Sequence, residues 1–305
     1  MSAAARTTVV VVTWRGCGLI GRCLDALAAQ TRPHRVLVVD NASTDGTAAQ
    51  IAPRCSRVLR LTRNVGYAGA LAAALPRVST PYMAWLNDDA QPEPGWLAAL
   101  EKALDDDGAA AAAASVLHAP DGAVSSTGVA LTRLGYGRDS TAALPFGFCG
   151  GAALLRTDTL RTIGGVAGSL FCYYEDTDTS WRLRLAGHQI LAVPDARVRH
   201  LGGASARHGT PTFHRWNERN RLLVLLRCAP APVAARELAR FTGLTLMLPW
   251  RRNHPRTPNF ALRLRLRVLA DVTARLPATL RARRQISRHC AIPRASIWST
   301  WAGHP

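Results

Sequence analysis

The stretch at residues 82–96, YMAWLNDDAQPEPGW, decides how the rest of the chain is interpreted. Its apolar first half runs directly into Asn87, Asp88 and Asp89, and two prolines follow. An apolar run of this length that ends at turn residues predicts a buried central strand. Ligands of open α/β sheets bind beyond the carboxyl ends of the strands. Two adjacent acids there, in a chain of formal charge +18, indicate a divalent cation that holds substrate phosphates.

Strand and helix patterns alternate in the segments before this stretch. Residues 7–13, TTVVVVT, and 35–40, RVLVVD, are runs typical of buried parallel strands, and apolar residues at helical spacing follow each one. This alternation predicts βαβ units and a mostly parallel sheet. The first strand is not followed by G-x-G-x-x-G, and no P-loop is present, so a dinucleotide fold of that type is not indicated.

A second concentration of acids lies at Glu175, Asp176 and Asp178, where the pattern predicts the start of a helix. Acids in a first helical turn favour the helix dipole, so capping is the ordinary interpretation. Asp178 stands four residues before Arg182, and we expect these two to form an ion pair. Three acids in four residues exceed what capping requires, and a functional role therefore remains open beside the structural one.

The later part of the chain is predicted to contain further strands and then helices. Residues 146–156, 189–193 and 197–201 have strand patterns, and His200 is followed by a Gly-rich loop that we expect to be mobile up to Pro211. Beyond that proline the pattern is helical. We therefore predict an α/β domain at residues 1–211 and a helical, Arg-rich region at residues 212–305.

Basic residues are concentrated at the end of the chain. Residues 251–305 contain 12 Arg and one acid, Asp271. A basic segment interleaved with apolar residues suits an anionic membrane surface or a nucleic acid. No nucleic-acid reading motif is present, so we do not expect a nucleic-acid partner. The alternative is a soluble helical appendage with Arg on its exposed face.

The apolar segments and the cysteines of the chain indicate its cellular location. No window approaches the ~20 apolar residues of a transmembrane helix, and no signal-peptide pattern is present. The seven cysteines are odd in number and contain no C-x-x-C pair, which favours reduced thiols over a disulfide framework. We expect a cytoplasmic protein, peripheral on the inner face of the plasma membrane.

Eight segments resemble, in order and spacing, the inverting family 2 glycosyltransferases with the GT-A fold. They are VVVVTWRG, VLVVDNASTDGT, RNVGYAGA, WLNDDAQPEPGW, GGAALLRTDTLRTIGG, YYEDTDTSWRLRLAGH, VRHLGGAS and ERNRL. Within that family the chain is most similar to the rhamnosyltransferase-like branch, which acts on lipid-linked or cell-wall glycan acceptors. The resemblance implies a Rossmann-like GT-A domain with a mostly parallel sheet, followed here by the basic helical extension.

The resemblance also implies which residues hold the nucleoside-diphosphate sugar donor. Thr13 and Asp40 would bind the nucleotide, with Asp40 accepting a hydrogen bond from the pyrimidine ring. Asn64 and Gly66 would line the nucleotide and ribose side. Asp88 would complete this donor site.

A metal site is implied by the stretch quoted first. Residues 87–89 match the family's DxD motif, with Asn87 in the place where many members have Asp. Asp89 is the implied principal ligand, and His200 and the Asn87 carbonyl are further ligands. The cation would be Mg²⁺ or Mn²⁺, which suit carboxylate, water and phosphate oxygens.

The resemblance places the catalytic base at Asp176. A carboxylate that takes the proton of the attacking acceptor hydroxyl contributes ~10²–10⁴-fold in rate, and a single displacement inverts the anomeric carbon. Gly151, Glu175, Asp178 and Arg219 would shape the acceptor side. The last of these and residue 220 match an Arg-Asn pair of the family.

Other functions stay open at this point. Rhamnose on thymidine diphosphate is the favoured donor, and galactofuranose, galactose or glucose on uridine diphosphate are alternatives. A nucleotidyltransferase on a similar sheet is disfavoured because no early Gly-rich basic loop for a triphosphate is present. The third possibility is a non-enzymatic protein that binds anionic membranes or nucleic acid through its Arg-rich end.

Overall fold

A computed structural model describes residues 4–55, 57–201, 209–250, 255 and 257–304. The strands are β1 (Thr7–Thr13), β2 (His34–Asp40), β3 (Val58–Arg60), β4 (Tyr82–Asn87), β5 (Ala90–Pro92), β6 (Ala110–His118), β7 (Val124–Ser126), β8 (Gly128–Leu131), β9 (Gly137–Ser140), β10 (Ala152–Arg156) and β11 (Gln189–His200). The helices are α1 (Ile20–Ala28), α2 (Thr47–Ile51), α3 (Gly66–Ala74), α4 (Trp96–Asp106), α5 (Thr157–Thr162), α6 (Glu175–Leu185), α7 (Pro211–Cys228), α8 (Ala231–Met247), α9 (Leu262–Arg288) and α10 (Arg294–Trp301). Short 3₁₀ turns lie at Leu75–Arg77, Gly168–Leu170, Leu248–Trp250 and Pro258–Phe260.

The main sheet has the strand order β3-β2-β1-β4-β10-β6-β11-β5, with β7 paired to β6. Strands β3, β2, β1 and β4 are parallel, and β6 and β11 are parallel to each other. Strand β10 runs antiparallel between β4 and β6, and β5 is an antiparallel edge strand. The β8–β9 hairpin forms a separate two-stranded sheet. The predicted α/β architecture with a mostly parallel central sheet is confirmed.

The pairing of the strands brings distant polar residues to one edge of the sheet. Thr13 is opposite Asp40 where β1 and β2 end, and Val12 is opposite Asn87 of β4. On the other side, the antiparallel pairing of β11 with β5 sets His200 opposite Ala90. This register places the end of a strand from late in the chain directly beside the acidic turn that follows β4.

The C-terminal helices share a hydrophobic core with one face of the sheet. Trp85 of β4 and Val268 of α9 belong to the same buried cluster, and Trp181 of α6 stacks on Trp298 of α10 with ring centroids 5.9 Å apart. Helix α7 begins at Pro211, the predicted boundary. One of the two buried clusters contains side chains from both sides of residue 211. The division into two domains stays a prediction.

Two strand predictions were wrong in their limits. In the predicted strand at residues 146–156, β10 begins only at Ala152, because Gly150 and Gly151 form a turn. The two strands predicted at 189–193 and 197–201 are one strand, β11, which accommodates Pro194 through a register shift against β6 between Val193 and Arg197. The predicted mobile loop after His200 falls mainly on residues 202–208, outside the described residues.

The alternating Arg and Leu residues at the start of α9 do not form one exposed face of Arg and one buried face of Leu. Leu264 and Arg265 are both buried, and the Arg265 guanidinium lies 3.8 Å from the centre of the Phe241 ring. Leu262 and Leu266 are exposed. Within the part of the chain that the structure describes, helices long and apolar enough to cross a membrane are absent.

Candidate active site

A cavity of about 610 Å³ opens at the carboxyl edge of the sheet, between strand ends, the first turn of α6 and the start of α7. Predicted site residues from five separate parts of the chain line it. They are Asn64, Gly66, Asn87, Asp88, Asp89, Gly151, Glu175, Asp176 and His200. Residues separated by more than a hundred positions are therefore brought to one crevice, at the location expected for a ligand of an α/β sheet.

An amide network organises the wall formed by the start of α3. Asn41 Nδ2 donates to Asn64 Oδ1 (3.0 Å) and to the Gly66 carbonyl (3.2 Å), while Asn41 Oδ1 accepts from the Val65 amide (2.9 Å). Asn64 Oδ1 also accepts from the Gly66 amide at 2.8 Å. Asn41 had not been predicted as a site residue. Its position directly after the β2 acid was the signal that could have identified it.

Gly66 is required by its surroundings. Its φ is +76°, and a Cβ atom at this position would lie 2.1 Å from the carbonyl oxygen of Phe171. That oxygen accepts a hydrogen bond from the Ala68 amide at 3.0 Å. A side chain at residue 66 would therefore push the first turn of α3 away from the segment that precedes α6.

Thr13 and Asp88 form one unit behind the cavity wall. Thr13 Oγ1 donates to Asp88 Oδ2 at 2.6 Å. Burial raises the pKa of Asp88 to about 7; the Thr13 hydrogen bond opposes this shift, and the neighbouring charge of Asp89 adds to it. Thr13 is not among the described residues that line the cavity, so the structure places it as a partner of Asp88.

Asp40 also lies away from the cavity lining. Its carboxylate accepts from the Ser43 amide at 2.9 Å and pairs with Arg60 Nε at 3.2 Å, and its side chain is only 2% exposed. The hydrogen bond to a pyrimidine ring implied by the family resemblance would require Arg60 to release this carboxylate.

Asn87, Asp89 and His200 lie close together, and the Asn87 Nδ2 group, not the side-chain carbonyl expected as a ligand, faces His200. His200 Nε2 lies 3.1 Å from Asp89 Oδ1 and 3.1 Å from Asn87 Nδ2. Asp89 Oδ1 is buried and receives no properly oriented hydrogen bond from any described residue. A buried carboxylate oxygen that receives no well-oriented hydrogen bond fits a cation. Among the described residues, no group of three or more His, Cys, Asp or Glu side chains is placed to hold a metal ion. A cation here would therefore take further ligands from the Asn87 carbonyl, phosphate and water.

Glu175 and Asp176 occupy the opposite side of the cavity, in the first turn of α6. Asp176 Oδ2 accepts from the Gly150 amide (3.0 Å), and Oδ1 accepts from the Thr177 amide (2.5 Å). Glu175 is 7% exposed, and its Oε2 has no partner among the described residues. Burial raises the pKa of both carboxyl groups, and the charge of Asp176 raises that of Glu175 further.

The Gly150-Gly151 turn separates these carboxylates from the histidine. A Cβ atom on Gly150 would lie 3.4 Å from Asp176 Oδ2, and one on Gly151 would lie 3.4 Å from His200 Cε1. The Gly150 carbonyl accepts from Tyr67 Oη at 2.7 Å. The Glu175–Asp176 carboxylate pair and His200 thus face one cavity from the two sides of the Gly150-Gly151 backbone.

The segment before α6 is held in an unfavourable conformation. Phe171, Tyr173 and Tyr174 have φ values of 70°, 70° and 71°, a region that residues with large side chains rarely adopt. Each such residue costs about 1–3 kcal/mol and persists only when its surroundings enforce it. This strain lies immediately before Glu175 and Asp176, so the same forces that hold the segment also set the position of both carboxylates.

Asn220 of α7 supplies that restraint. Its Nδ2 group lies 2.9 Å from the Leu170 carbonyl oxygen, 2.8 Å from that of Cys172 and 2.8 Å from that of Tyr173. Arg219 Nε donates to Asn220 Oδ1 at 2.9 Å, which fixes the orientation of the amide. One fully buried side chain therefore holds three carbonyls of the strained segment.

Two residues expected on the acceptor side lie elsewhere. Arg219 donates to the Leu170 carbonyl at 2.6 Å and supports Asn220, and it is not among the described lining residues. Asp178 is completely buried between Arg182 (2.8 Å) and Arg227 (2.6 Å), which hold its pKa below the ordinary value against the effect of burial. The expected Asp178–Arg182 ion pair is present, but direct acceptor contact by Arg219 or Asp178 does not fit these positions.

Aromatic side chains form a wall of the cavity that sequence reasoning missed. Phe171 and Trp216 have ring centroids 4.8 Å apart, and Tyr173 and Phe213 are 5.2 Å apart. We call these four residues the aromatic wall; all line the cavity. Two of them belong to the first turns of α7, where the pattern had indicated only a helix, and nothing in the local sequence marked them as facing a cavity.

Comparisons with known proteins agree with this architecture. The family model described as "Glycosyl transferase family 2" matches residues 8–164. A curated relative from Mycobacterium tuberculosis, named N-acetylglucosaminyl-diphospho-decaprenol L-rhamnosyltransferase, is 30% identical over 230 residues. That alignment covers 63% of this chain and 75% of the relative.

Solved structures show the same fold at low identity. The mannosyltransferase PcManGT from Pyrobaculum calidifontis, in complex with GDP-Man and Mn²⁺, aligns with a TM-score of 0.54 at 22% identity, over 98% of this chain and 80% of that one. GalNAc-T7 with UDP, GalNAc and Mn²⁺ aligns with a TM-score of 0.63 at 13% identity, over 90% of this chain and 57% of that one. With the fold, the family model and the curated relative in agreement, this chain belongs to glycosyltransferase family 2.

Proposed function

We propose that this glycosyltransferase is metal-dependent and inverting, and that it moves rhamnose from a nucleoside-diphosphate sugar to a lipid-linked or cell-wall glycan acceptor. The observation that carries the proposal is the arrangement of one cavity. A carboxylate pair stands on one side. On the other side stands the buried Asp89 Oδ1, which lies 3.1 Å from His200 Nε2 and receives no well-oriented hydrogen bond from any described residue. That separation of a basic group from a cation-binding group suits one displacement at an anomeric carbon.

Asp176 is assigned as the base because its environment differs from that of its neighbour. Two backbone amides donate to Asp176 and stabilise its charged form, whereas Glu175 Oε2 has no donor among the described residues. When two close carboxyls share a site, the proton resides on the one whose charged form is less stabilised. Glu175 therefore holds the proton, and Asp176 remains ionised to accept the proton of the acceptor hydroxyl.

The same amide bonds orient the base. The Gly150 amide holds Asp176 Oδ2 at 3.0 Å, and the Tyr67 hydroxyl anchors the Gly150 carbonyl. The attacking oxygen forms its bond to the anomeric carbon as the diphosphate leaves from the opposite face. One displacement of this kind inverts the configuration.

Asp89, His200 and the Asn87 carbonyl would hold Mg²⁺ or Mn²⁺. Such a cation, when bound, neutralises the charge that develops on the departing diphosphate. Asp88, Asn64 and Gly66 are proposed to line the donor side. Thr13 supports that side through its hydrogen bond to Asp88, and Asp40 adjoins Asn41, a lining residue of the amide network.

The acceptor is proposed to be a polyprenyl-linked glycan. The curated relative is named for a lipid-linked N-acetylglucosaminyl acceptor and for rhamnose, which supports both the donor and the acceptor class. The aromatic wall offers faces on which a sugar ring or an apolar chain can pack. Transfer of galactofuranose, galactose or glucose from a uridine diphosphate sugar is the alternative.

A donor screen tests this proposal. The purified chain is incubated with thymidine and uridine diphosphate sugars and a polyprenyl-diphosphate glycan, and nucleoside-diphosphate release is measured with and without Mn²⁺ or Mg²⁺. Asp176→Asn should keep donor binding and lose transfer by at least ~10²-fold, while Asp158→Asn, at a 92% exposed side chain, should behave as wild type. Normal turnover by Asp176→Asn would overturn the assignment of the base.

We further propose that the chain works as a peripheral protein on an anionic membrane, at the inner face of the plasma membrane where a lipid-linked acceptor is accessible. Leu262 and Leu266 of α9 are exposed beside Arg263 and Arg267, and Trp250 is 80% exposed. Apolar side chains interleaved with Arg suit the headgroup region of such a membrane.

Vesicle binding tests the membrane proposal. Leu266→Ser should reduce co-sedimentation with vesicles containing phosphatidylglycerol. Leu144→Ser, at another exposed leucine (76%), should not. Equal binding by both variants would contradict a membrane role for α9.

A further inference from the structure

A second cavity, of about 460 Å³, lies between α6, the end of α7 and α9. We call it the arginine cavity. Its described lining includes Arg182, Arg227, Arg288 and His289, and contains no acidic side chain. The active-site cavity has a separate lining that shares none of these residues. The arginine cavity plays no part in the donor, metal or acceptor chemistry proposed above.

The charges at its inner wall do not balance. Arg182 and Arg227 have side chains that are 3% and 14% exposed, and both pair with the single carboxylate of Asp178, which is fully buried. Two guanidinium groups thus share one counter-ion. A buried charge without compensation is costly, so one positive charge at this wall lacks a partner among the described residues.

Hydrogen-bonding capacity is also left over at this wall. Arg227 uses Nε and Nη2 on Asp178 and makes no hydrogen bond through Nη1 to any described residue. Arg182 donates from Nη1 to the Ile163 carbonyl (2.9 Å) and from Nη2 to Thr179 Oγ1 (3.2 Å). A guanidinium has five N–H donors, so both groups retain donors that are not used by the protein.

Neighbouring residues add positive charge and supply no acid. Arg283 donates to the Leu226 and Ala229 carbonyls, and Arg294 lies 3.5 Å from the carbonyl oxygen of Arg227. These contacts cap the end of α7 with side-chain cations. Arg288 at the cavity rim makes no ion pair with any described residue.

We propose that the arginine cavity binds a phosphate group. Its oxygens would accept from the unused donors of Arg182 and Arg227 and meet Arg288 and His289 at the rim. Planar guanidinium donors match phosphate geometry, and the bound anion would compensate the excess positive charge at this wall. The cavity volume leaves room for part of an ester attached to the phosphate.

The experiment uses the full chain and does not depend on glycosyl transfer. Thermal unfolding and calorimetric titration with inorganic phosphate are run at constant ionic strength set with potassium chloride. Arg288→Gln removes a rim charge, and Ala282→Phe fills the cavity without changing charge. Arg284→Gln removes an exposed charge from the same helix outside the cavity lining and is the matched control.

We expect saturable stabilisation of wild type and of Arg284→Gln. The Kd for phosphate should be weakened about three- to tenfold in Arg288→Gln, equivalent to up to ~1.4 kcal/mol, and binding should be lost in Ala282→Phe. Two results would refute the site. In the first, all four proteins respond to phosphate identically. In the second, none of them responds to phosphate and all four bind vesicles equally.

Vesicles of phosphatidylglycerol distinguish the two sources of a phosphate group. Free phosphate that protects wild type but not Ala282→Phe assigns the site to a soluble phosphate. Vesicle binding that is lost in Arg288→Gln and Ala282→Phe but kept in Arg284→Gln, without any response to free phosphate, assigns it to a lipid headgroup.

Discussion

Replacing Asn220 by alanine is expected to lower both stability and the rate of transfer, although this residue does not line the active-site cavity. The change removes the amide that holds the Leu170, Cys172 and Tyr173 carbonyls. Without that restraint, the segment is free to leave its positive-φ conformation. Asp176 follows this segment directly and would lose its fixed position.

The magnitude follows from the contacts. The Asn220 amide has two N–H donors for these carbonyls and accepts one hydrogen bond from Arg219. A buried hydrogen bond contributes about 1 kcal/mol net, so the loss of about three gives ~3 kcal/mol in unfolding free energy. For a chain of 305 residues, the entropy of unfolding converts this into a fall in Tm of about 5 °C. A displacement of the base by ~1 Å lowers transfer by about 10²-fold. We expect the fall mainly in kcat, because the donor side is bounded by other residues.

Gln30→Ala is the matched control. The Gln30 amide donates to the Ala26 and Glu93 carbonyls and accepts from the Leu97 amide, so it also holds backbone by three contacts, but outside the cavity lining. It should lower Tm with little change in kcat. Thermal unfolding and steady-state transfer assays on both variants make the comparison. If Asn220→Ala loses stability but keeps the wild-type kcat, then the strained segment does not depend on Asn220 for the position of the base.

Two further predictions concern the cavity carboxyls. Asp89→Ala should abolish Mn²⁺ binding measured by calorimetry and lower Mn²⁺-stimulated transfer by at least ~10²-fold, and wild-type Mn²⁺ affinity in this variant would contradict the proposed ligand. Burial raises the pKa of Glu175, so its carboxyl group binds a proton more tightly in the folded state than in the unfolded state. The free energy of unfolding should therefore fall as pH rises from ~4, the pKa in the unfolded chain, towards the raised pKa of the folded protein. Glu175→Gln should flatten the profile of Tm between pH 5 and 8, whereas parallel wild-type and variant profiles would refute a raised pKa.

Local patterns predicted most of the sheet because buried parallel strands are apolar on both faces. TTVVVVT and the run before Asn87 became β1 and β4 within a residue of the expected limits. The strand at residues 146–156 was placed too early, since alternation alone does not show where a Gly-Gly turn replaces pairing. The long strand β11 was divided in two because Pro194 usually ends a strand, whereas here a register shift absorbs it.

The site was predictable to the extent that its residues stand at strand or helix ends. Asn87, Asp89, Asp176 and His200 do so, and the structure brings all four to one cavity. Asp178 had the same local signal as Asp176 but points into an ion pair, since two positions along a helix turn a side chain by about 200°. Their roles in catalysis and metal binding stay predictions until the variants are measured.

The amino-acid sequence by itself determined the α/β alternation, the acidic turn after β4 and the acidic first turn of α6, because these depend on local periodicity and capping. Only the tertiary structure decided that His200 meets Asp89, since that contact follows from the antiparallel pairing of β11 with β5. It likewise decided that Asn220 restrains the segment before Asp176. Contacts between residues far apart in the chain arise from packing, and packing is not encoded in any single stretch. The acidic turn at residues 87–89 thus indicated a site. The residues that face this turn across the cavity come from elements more than eighty residues later in the chain.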